Sequence, residues 1–487
     1  MSKESKTSIK NVLKAKKGTV TVRMYRAEFG DCFLLAFPAK NNNTKYLLID
    51  CGVHHGTDNK NELMEKIATQ INVATEGHLD VVAVTHEHTD HILGFSVAAS
   101  VFEKMIIDNV WMGWTEKYND PKVKELDKKK NLYLQALHTA AALAESYDKN
   151  FASGLRGVLG FYDDDIFAAK DEQKTKRMYN RQTMQWLQNQ AKNGPTFCTP
   201  GDAPLNIEGV DDVRIFVLGP PTDEKLLKKS SPSRGDKKET YLMDGPLELY
   251  DAYAESILSL SGLNATSSSQ SASQYTPFAK LYGKKPSETE SEIYNELYAN
   301  KNNAWRTIDN EWINVASELA IKMENHTNNS SLVLAIELGK NGKVMLFPGD
   351  AQVGNWLSWQ DLEWNFGGDS ITSDDLLTRT VLYKVGHHCS HNATLRKHGL
   401  EKMTSSELTA LIPVSEIFAN NKQGWQIPHK ELLYRLKEKT FHRILRTDAE
   451  NKKNITKPQM ISSARWDDFL KQIDERADYI DYTVKWK

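Results

Sequence analysis

Cysteine is scarce in this sequence: Cys32, Cys51, Cys198 and Cys389 are the only four in 487 residues, and no two stand in C-x-x-C spacing. That excludes a disulfide scaffold and fits a reducing compartment, so a cytoplasmic location is expected. Long apolar runs are also missing. No stretch of about 20 apolar residues occurs, and the lysine-rich start (MSKESKTSIKNVLKAKKG) lacks the apolar segment of a signal peptide, so neither a membrane span nor a secretion signal is expected. An excess of one charge is absent too: Lys+Arg at 62 against Asp+Glu at 64 gives -2. That excludes a basic footprint for nucleic acid over the molecule as a whole and leaves only local patches. No internal repeat appears at solenoid periods. The length implies one large domain with insertions, or two domains.

Short strands are predicted over Thr19–Tyr25, Phe33–Phe37 and Tyr46–Ile49, and an amphipathic helix from Asn61 to Val73. The apolar run Asp80–Thr85 (DVVAVT) reads as a buried strand. After a strand near Ile106–Met112 the chain turns charged and helical in period, over Val123–Tyr147 and Gln173–Ala191. Val213–Leu218 is again strand-like. A Ser-rich tract from Ser259 has too few apolar residues to pack. Strands return at Ser331–Leu338 and Lys343–Phe347, joined by a Gly339-Lys-Asn-Gly342 hairpin, and at Val381–Val385; helices follow at Lys430–Lys437 and Trp466–Arg476.

The chemistry concentrates where the Asp80–Thr85 strand ends. His86-Glu-His88-Thr-Asp90-His91 is an H-x-H-x-D-H pattern, which composition alone would generate in fewer than about one in a thousand such chains. Imidazole nitrogens and carboxylate oxygens hold zinc, iron or manganese with a position open for water. His86 and His88 are placed to share one ion, and Asp90 and His91 a second.

This pattern resembles the signature of the metallo-β-lactamase superfamily, hydrolases built as a four-layer αβ/βα sandwich. The resemblance implies that Asp350, after the strand ending Leu346-Phe-Pro-Gly349, bridges two metals. It implies that His326, in a loop 24 residues before Asp350, joins the first ion, and that the Lys384-Val-Gly-His387-His388 segment supplies the last imidazole. His387 and His388 compete for that place; His388 is assigned as the ligand, with His387 facing substrate. Further motifs resemble the hydrolase domain of the ComEC-type competence proteins: Phe29-Gly-Asp31-Cys32, Leu48-Ile-Asp50-Cys-Gly52, Asn328-Asn-Ser-Ser-Leu-Val-Leu334, Pro428-His429 and Arg446-Thr-Asp448. Asp31 and Asp50 are expected behind the ligands, orienting them. Cys389 stands where that branch has glycine, and Ile427 where it has histidine.

The resemblance implies this division: a basic N-terminus (1–17), core (18–115), helical insertion (116–204), core strand (205–222), second insertion with the Ser-rich loop (223–324), core (325–450) and C-terminal extension (451–487). The expected activity is that of a binuclear hydrolase using a metal-bridging hydroxide on two divalent ions, zinc first, manganese or iron as alternatives. Asp90 would orient the nucleophile, while His387 and His391 stabilise the transition state or protonate the leaving group. A phosphodiester is the expected substrate, with nucleic acid as one form of it and the lysine-rich segments Pro121–Lys130 and Lys225–Lys238 as alternative phosphate contacts or plain solvated surface. The alternatives are a small ester, lactone or phosphorylcholine-type hydrolase, and a metal-binding regulatory protein without turnover. His54, His55, His138 and His398 carry no motif and read as surface residues, and Trp111 and Trp114 as core.

Overall fold

The computed structural model describes residues 12–145, 148–162, 180–229, 254, 257, 311–366 and 368–486. The Ser-rich tract, and the inserted lysines beyond Lys229, lie outside the described residues. The chain divides into two compact units. One comprises Met1–Tyr118, Gly160–Met243 and Asn325–Lys487, the other Asn119–Leu159 and Asp244–Glu324.

The first unit is built on two mixed sheets. The eight-stranded sheet runs, in spatial order, β15 (Ile473–Glu475), β16 (Tyr479–Lys485), β1 (Thr19–Tyr25), β2 (Cys32–Pro38), β3 (Thr44–Cys51), β4 (His78–Ala83), β5 (Ile106–Gly113) and β6 (Pro195–Cys198). The six-stranded sheet runs β14 (Ile444–Arg446), β13 (Thr409–Ile412), β12 (Thr380–Lys384), β9 (Lys343–Phe347), β8 (Val333–Leu338) and β7 (Val213–Gly219). A separate hairpin pairs β10 (Glu363–Phe366) with β11 (Asp369–Thr372).

Alternation along the strands decides how the sheets pack. Val20, Val22, Phe33, Leu35, Leu47, Ile49, Val81 and Ala83 of the first sheet join Ile215, Val217, Leu334, Ile336, Met345, Phe347 and Leu382 of the second in one buried cluster. Residues two apart share a face, so the sheets lie face to face with a common core. The Phe33 and Phe347 rings meet edge-on at 5.6 Å across it. The other face of the second sheet, with Phe216, Val333, Ala335, Leu346 and Tyr383, packs under Trp356, Trp359, Leu376 and Leu436. Helix Thr89–Val97 packs against β3 of the first sheet, and helix Lys60–Ala74, burying Met64, Ile67 and Ile71, packs against helix Thr89–Val97. The first unit is thus a mixed α/β sandwich.

In the second unit, helix Pro121–Ala144 starts on an Asp120 N-cap with proline in its first turn and buries Leu126, Leu134 and Leu137. Helix Lys149–Leu159 follows it. No helix among the described residues is long and apolar enough to cross a membrane.

Three local expectations change. The predicted 173–191 helix is described only as Asn180–Gln190, and β6 follows it on the sheet edge beside β5. The expected helix Trp466–Arg476 is instead Ser463–Lys471, after which the chain returns as β15 and β16. His326 sits not in a loop but in the last turn of helix Glu311–Asn329. Helical periodicity persists through Glu324-Asn-His-Thr-Asn-Asn329, and the polar residues that read as loop serve as the helix end.

Candidate metal centre

β4 ends at Ala83, and the chain passes through Val84 and Thr85 into the His86–His91 segment, whose last residues form the first turn of helix Thr89–Val97. The close approach that holds this segment depends on Gly52. A Cβ there would lie 2.3 Å from both the Asp90 carbonyl carbon and the His91 nitrogen. Asp31 adds a backbone tie, its N–H donating to the Asp90 carbonyl at 2.8 Å.

Asp90, His91, Asp350 and His388 converge, each offering one ligand atom within 4.8 Å of the others, and all four are fully buried. They come from three places: the first turn of helix Thr89–Val97, the turn after β9 and the turn after β12. His388 Nε2 is 2.9 Å from Asp90 Oδ2, and His91 Nε2 is 3.1 Å from Asp350 Oδ2. The latter pair is close without hydrogen-bond alignment. Asp90 Oδ1, His91 Nε2 and Asp350 Oδ2 are all buried atoms with no hydrogen-bond partner.

The outward nitrogens are fixed from behind. Asp50 Oδ2 is 2.8 Å from His91 Nδ1 and also accepts from the Thr85 hydroxyl at 2.7 Å, while its Oδ1 accepts from the Thr85 N–H at 2.8 Å. His388 Nδ1 donates to the Pro413 carbonyl at 2.7 Å. Each ring thereby presents its Nε2 lone pair inward, the arrangement that metal-ligating histidines use.

Lys384 was not assigned a role from the sequence, yet it is central. Its ammonium, 2 % exposed as a side chain, lies 2.5 Å from Asp31 Oδ2 and 3.1 Å from Asp350 Oδ1. It also donates to the Gly349 carbonyl at 2.8 Å. Burial opposes the charge, but the two carboxylates outweigh it and hold the Lys384 pKa above its ordinary value. The signal was a single lysine inside the apolar run Val381–Val385.

The electrostatics favour a cation. Burial works against ionised Asp90, but His91 and His388 outweigh it and hold its pKa down at about 2. Asp350 is likewise held well below the carboxylate range, against burial, by His91 and Lys384. Burial also opposes charge on His91, yet Asp350, Asp90, Asp50 and Asp31 push its pKa well above the ordinary imidazole value. A proton or a metal ion answers the same field. His86 goes the other way, since burial and then the charges of His91 and His88 keep its ring neutral. For Asp31 burial prevails over Lys384 and raises the carboxyl pKa.

The other predicted residues fall as follows. His86 Nε2 and His88 Nδ1 face each other at 3.0 Å, and Ser331 Oγ lies 3.3 Å from His86 Nδ1. His326 lies in the last turn of helix Glu311–Asn329 with its Nε2 buried. The His387 ring is not one of the four converging side chains; its Nδ1 is 2.8 Å from Ser390 Oγ and 3.3 Å from Gln352 Nε2. Its backbone N–H instead donates to Asp350 Oδ1 at 2.8 Å. His391 stands beside His429, ring centroids 5.9 Å apart, outside the cluster. His387, His388 and Cys389 all adopt left-handed backbone, φ 42°, 51° and 70°. Cys389 therefore occupies a conformation glycine takes freely, consistent with the strain that accumulates at functional turns.

An aromatic wall was not foreseen. Phe29 lies 3.9 Å from the His388 ring, and Phe161 and Tyr162 lie 5.3 and 4.8 Å from His88. Trp425 stacks on Phe161 at 5.5 Å. His54, read as surface, is buried in this wall, 4.5 Å from Phe161 and 5.1 Å from Phe418. A lone histidine's position carries no periodic signal, so only the fold could place it. Comparison with protein-family models gives no match, and neither does comparison with curated proteins.

Proposed function

We propose that this chain is a metal-dependent hydrolase of the metallo-β-lactamase fold and that its substrate is a phosphodiester. The observation that carries this reading is the buried convergence of Asp90, His91, Asp350 and His388, with the partnerless atoms Asp90 Oδ1, His91 Nε2 and Asp350 Oδ2 among them. Buried polar atoms without partners are costly unless something else binds them. The nitrogen and oxygen donors suit zinc, manganese or iron. The order of the motifs along the chain and the face-to-face sheets support the fold. A divalent cation held there would polarise a substrate oxygen and make water nucleophilic at neutral pH.

The chain's own residues do the rest. Asp50 and the Pro413 carbonyl keep two imidazoles in register, and Lys384 and the His387 N–H hold Asp350 Oδ1 so that Oδ2 is aimed. The His387 ring, 7 % exposed against 0–1 % for His86, His88, His91 and His388, is the imidazole most open to a leaving group. Ser390 orients it for proton donation.

The aromatic wall favours a small substrate over a polymer, which keeps hydrolysis of a small ester or lactone as the second reading. The test is a metal-content assay joined to a substrate panel: a bis-aryl phosphodiester, single- and double-stranded DNA, RNA, and carboxylic esters, with Asp90→Ala as control. Metal-dependent cleavage of the diester, abolished in Asp90→Ala, is expected. Protein that takes up no divalent metal refutes the proposal, and activity confined to carboxylic esters refutes its substrate half.

A further inference from the structure

The Arg446-Thr-Asp448 segment lies outside the four converging side chains, yet it reaches them through one peptide unit. His388 offers a lone pair on Nε2 toward Asp90 only if Nδ1 carries the proton. Phe29 covers the ring at 3.9 Å, which restricts its plane without choosing between its two nitrogens. The Pro413 carbonyl, 2.7 Å from Nδ1, makes that choice, because a carbonyl only accepts. Whatever aims this carbonyl therefore aims the imidazole.

The sheet does not supply that aim. β13 ends at Ile412, and its last pairing with β14 joins Ile412 to Arg446. The Thr447 N–H closes the ladder by donating to the Ile412 carbonyl at 3.2 Å. Pro413 has no N–H of its own by which to be tied down. One residue on, the buried Thr447 hydroxyl takes over from the backbone: it accepts from the Val414 N–H and donates to the Val414 carbonyl, each at 2.7 Å. The Val414 N–H belongs to the same trans peptide unit as the Pro413 carbonyl, and in such a unit the two point in opposite directions. Holding the N–H on one side turns the carbonyl to the other, where His388 Nδ1 lies.

Thr447 is itself held from behind. Arg26 donates to the Thr447 carbonyl and, at 3.0 Å, to that of Ala449, while its guanidinium pairs with Glu475 at 2.7 Å. The residues on either side of Thr447 do a different job. Arg446 grips Asp448 and Glu416, and Asp448 Oδ2 accepts from the Glu416 N–H at 2.9 Å, which ties the loop down two residues past Val414. We propose that Thr447 is a positioning residue of the metal centre, its hydroxyl fixing the Pro413–Val414 peptide so that the Pro413 carbonyl sets the tautomer and direction of His388. The inference rests on the reading of Asp90, His91, Asp350 and His388 as a metal-binding set, and adds to it a group that touches none of the ion's own ligand atoms.

The test uses the full chain, stripped by chelator and reloaded with zinc, with affinity read by calorimetry and folding by circular dichroism. Cobalt(II) in place of zinc reports ligand geometry through its visible absorption. Thr447→Val keeps the shape and deletes the hydroxyl, so affinity is expected to fall about 10–100-fold, as when a group that orients a metal ligand is lost, and the cobalt bands to shift. Thr447→Ser keeps the hydroxyl and is expected to show wild-type affinity and bands. Asp448→Ala loosens the same loop but leaves the hydroxyl in place; it is expected to lower the melting temperature and keep wild-type affinity and bands. Wild-type binding in Thr447→Val overturns the inference, as does a Thr447→Ser that behaves like Thr447→Val. An Asp448→Ala that loses as much affinity as Thr447→Val also overturns it, since the role would then be general support of the loop. If Thr447→Val does not fold, Thr447→Cys takes its place, the thiol being a weaker acceptor and donor: weakened binding is expected, and wild-type affinity overturns the inference. Wild-type protein that takes up no divalent metal would instead sink the metal-centre reading, whereas uptake abolished by Asp90→Ala and indifferent to Thr447→Val would sink this inference alone.

Discussion

Replacing Lys384 with methionine keeps most of the side chain's aliphatic volume and deletes one charge, which makes it a clean probe of the buried network. In the native protein the ammonium serves two carboxylates, Asp31 at 2.5 Å and Asp350 at 3.1 Å, with both partners 2 % exposed or less. Removing one member of such a pair leaves the others as uncompensated buried charge, typically about 3–5 kcal/mol. Against a total folding stability of about 5–15 kcal/mol this is a large fraction. Urea unfolding of metal-free Lys384→Met should show that loss, and saturating divalent metal should return part of it, because a cation beside Asp350 offsets the missing charge. The double variant Lys384→Met/Asp31→Asn should be more stable than Lys384→Met alone, since it removes a charge that the single change leaves unpaired. A loss under about 1 kcal/mol in Lys384→Met, or a double variant weaker than the single, would refute the argument that Lys384 neutralises the carboxylates.

Asp50→Asn replaces the acceptor behind His91 Nδ1, and metal affinity measured by calorimetry should fall about 10–100-fold while the fold persists. Gly52→Ala puts a methyl 2.3 Å from the Asp90–His91 backbone, so thermal unfolding should show one of the larger destabilisations of any single substitution in the first unit, together with loss of metal uptake. Glu401 is held below the usual carboxylate range first by its hydrogen bond to Arg435, at 2.7 Å, with burial opposing. Its contribution is therefore present above its unfolded pKa and lost as pH falls through the folded one, so Glu401→Gln should lower stability slightly at neutral pH, leave it nearly unchanged in acid, and so flatten the acid limb of a stability–pH curve.

How legible the molecule was depends on the kind of signal. The run Asp80–Thr85 reads directly as a buried strand because both its faces are apolar, and β4 is found there at His78–Ala83. The His86–His91 motif, which runs into the first turn of helix Thr89–Val97, stood out by residue type and local spacing, while Asp350 after β9 was named only through the resemblance. Other features were hidden for physical reasons. Tyr479–Lys485 alternates with Ile480, Tyr482 and Val484 inward, a legible strand, but its pairing with β1 spans nearly the whole chain and no local pattern announces it. Lys384 reads as an ordinary charge in a strand until Asp31 and Asp350 are brought to it from 353 and 34 residues away. His326 was chosen by spacing, and spacing does not know whether the segment ends as loop or helix.

The distribution of satisfied and unsatisfied atoms separates a structural network from one arranged to hold something. Asp50 spends both oxygens on Thr85 and His91, and one oxygen each of Asp31 and Asp350 goes to Lys384. A network selected for stability alone would close the remaining positions in the same way, because a half-satisfied buried polar cluster is worse than an apolar one. Here Asp90 Oδ1, Asp350 Oδ2 and His91 Nε2 stay open within one cluster, while the atoms behind them are tied down. Those open atoms are two carboxylate oxygens and an imidazole nitrogen whose other nitrogen is already engaged. Such a set has electron pairs to give and little charge to balance them, so the species it is suited to receive is a cation of small radius and high charge.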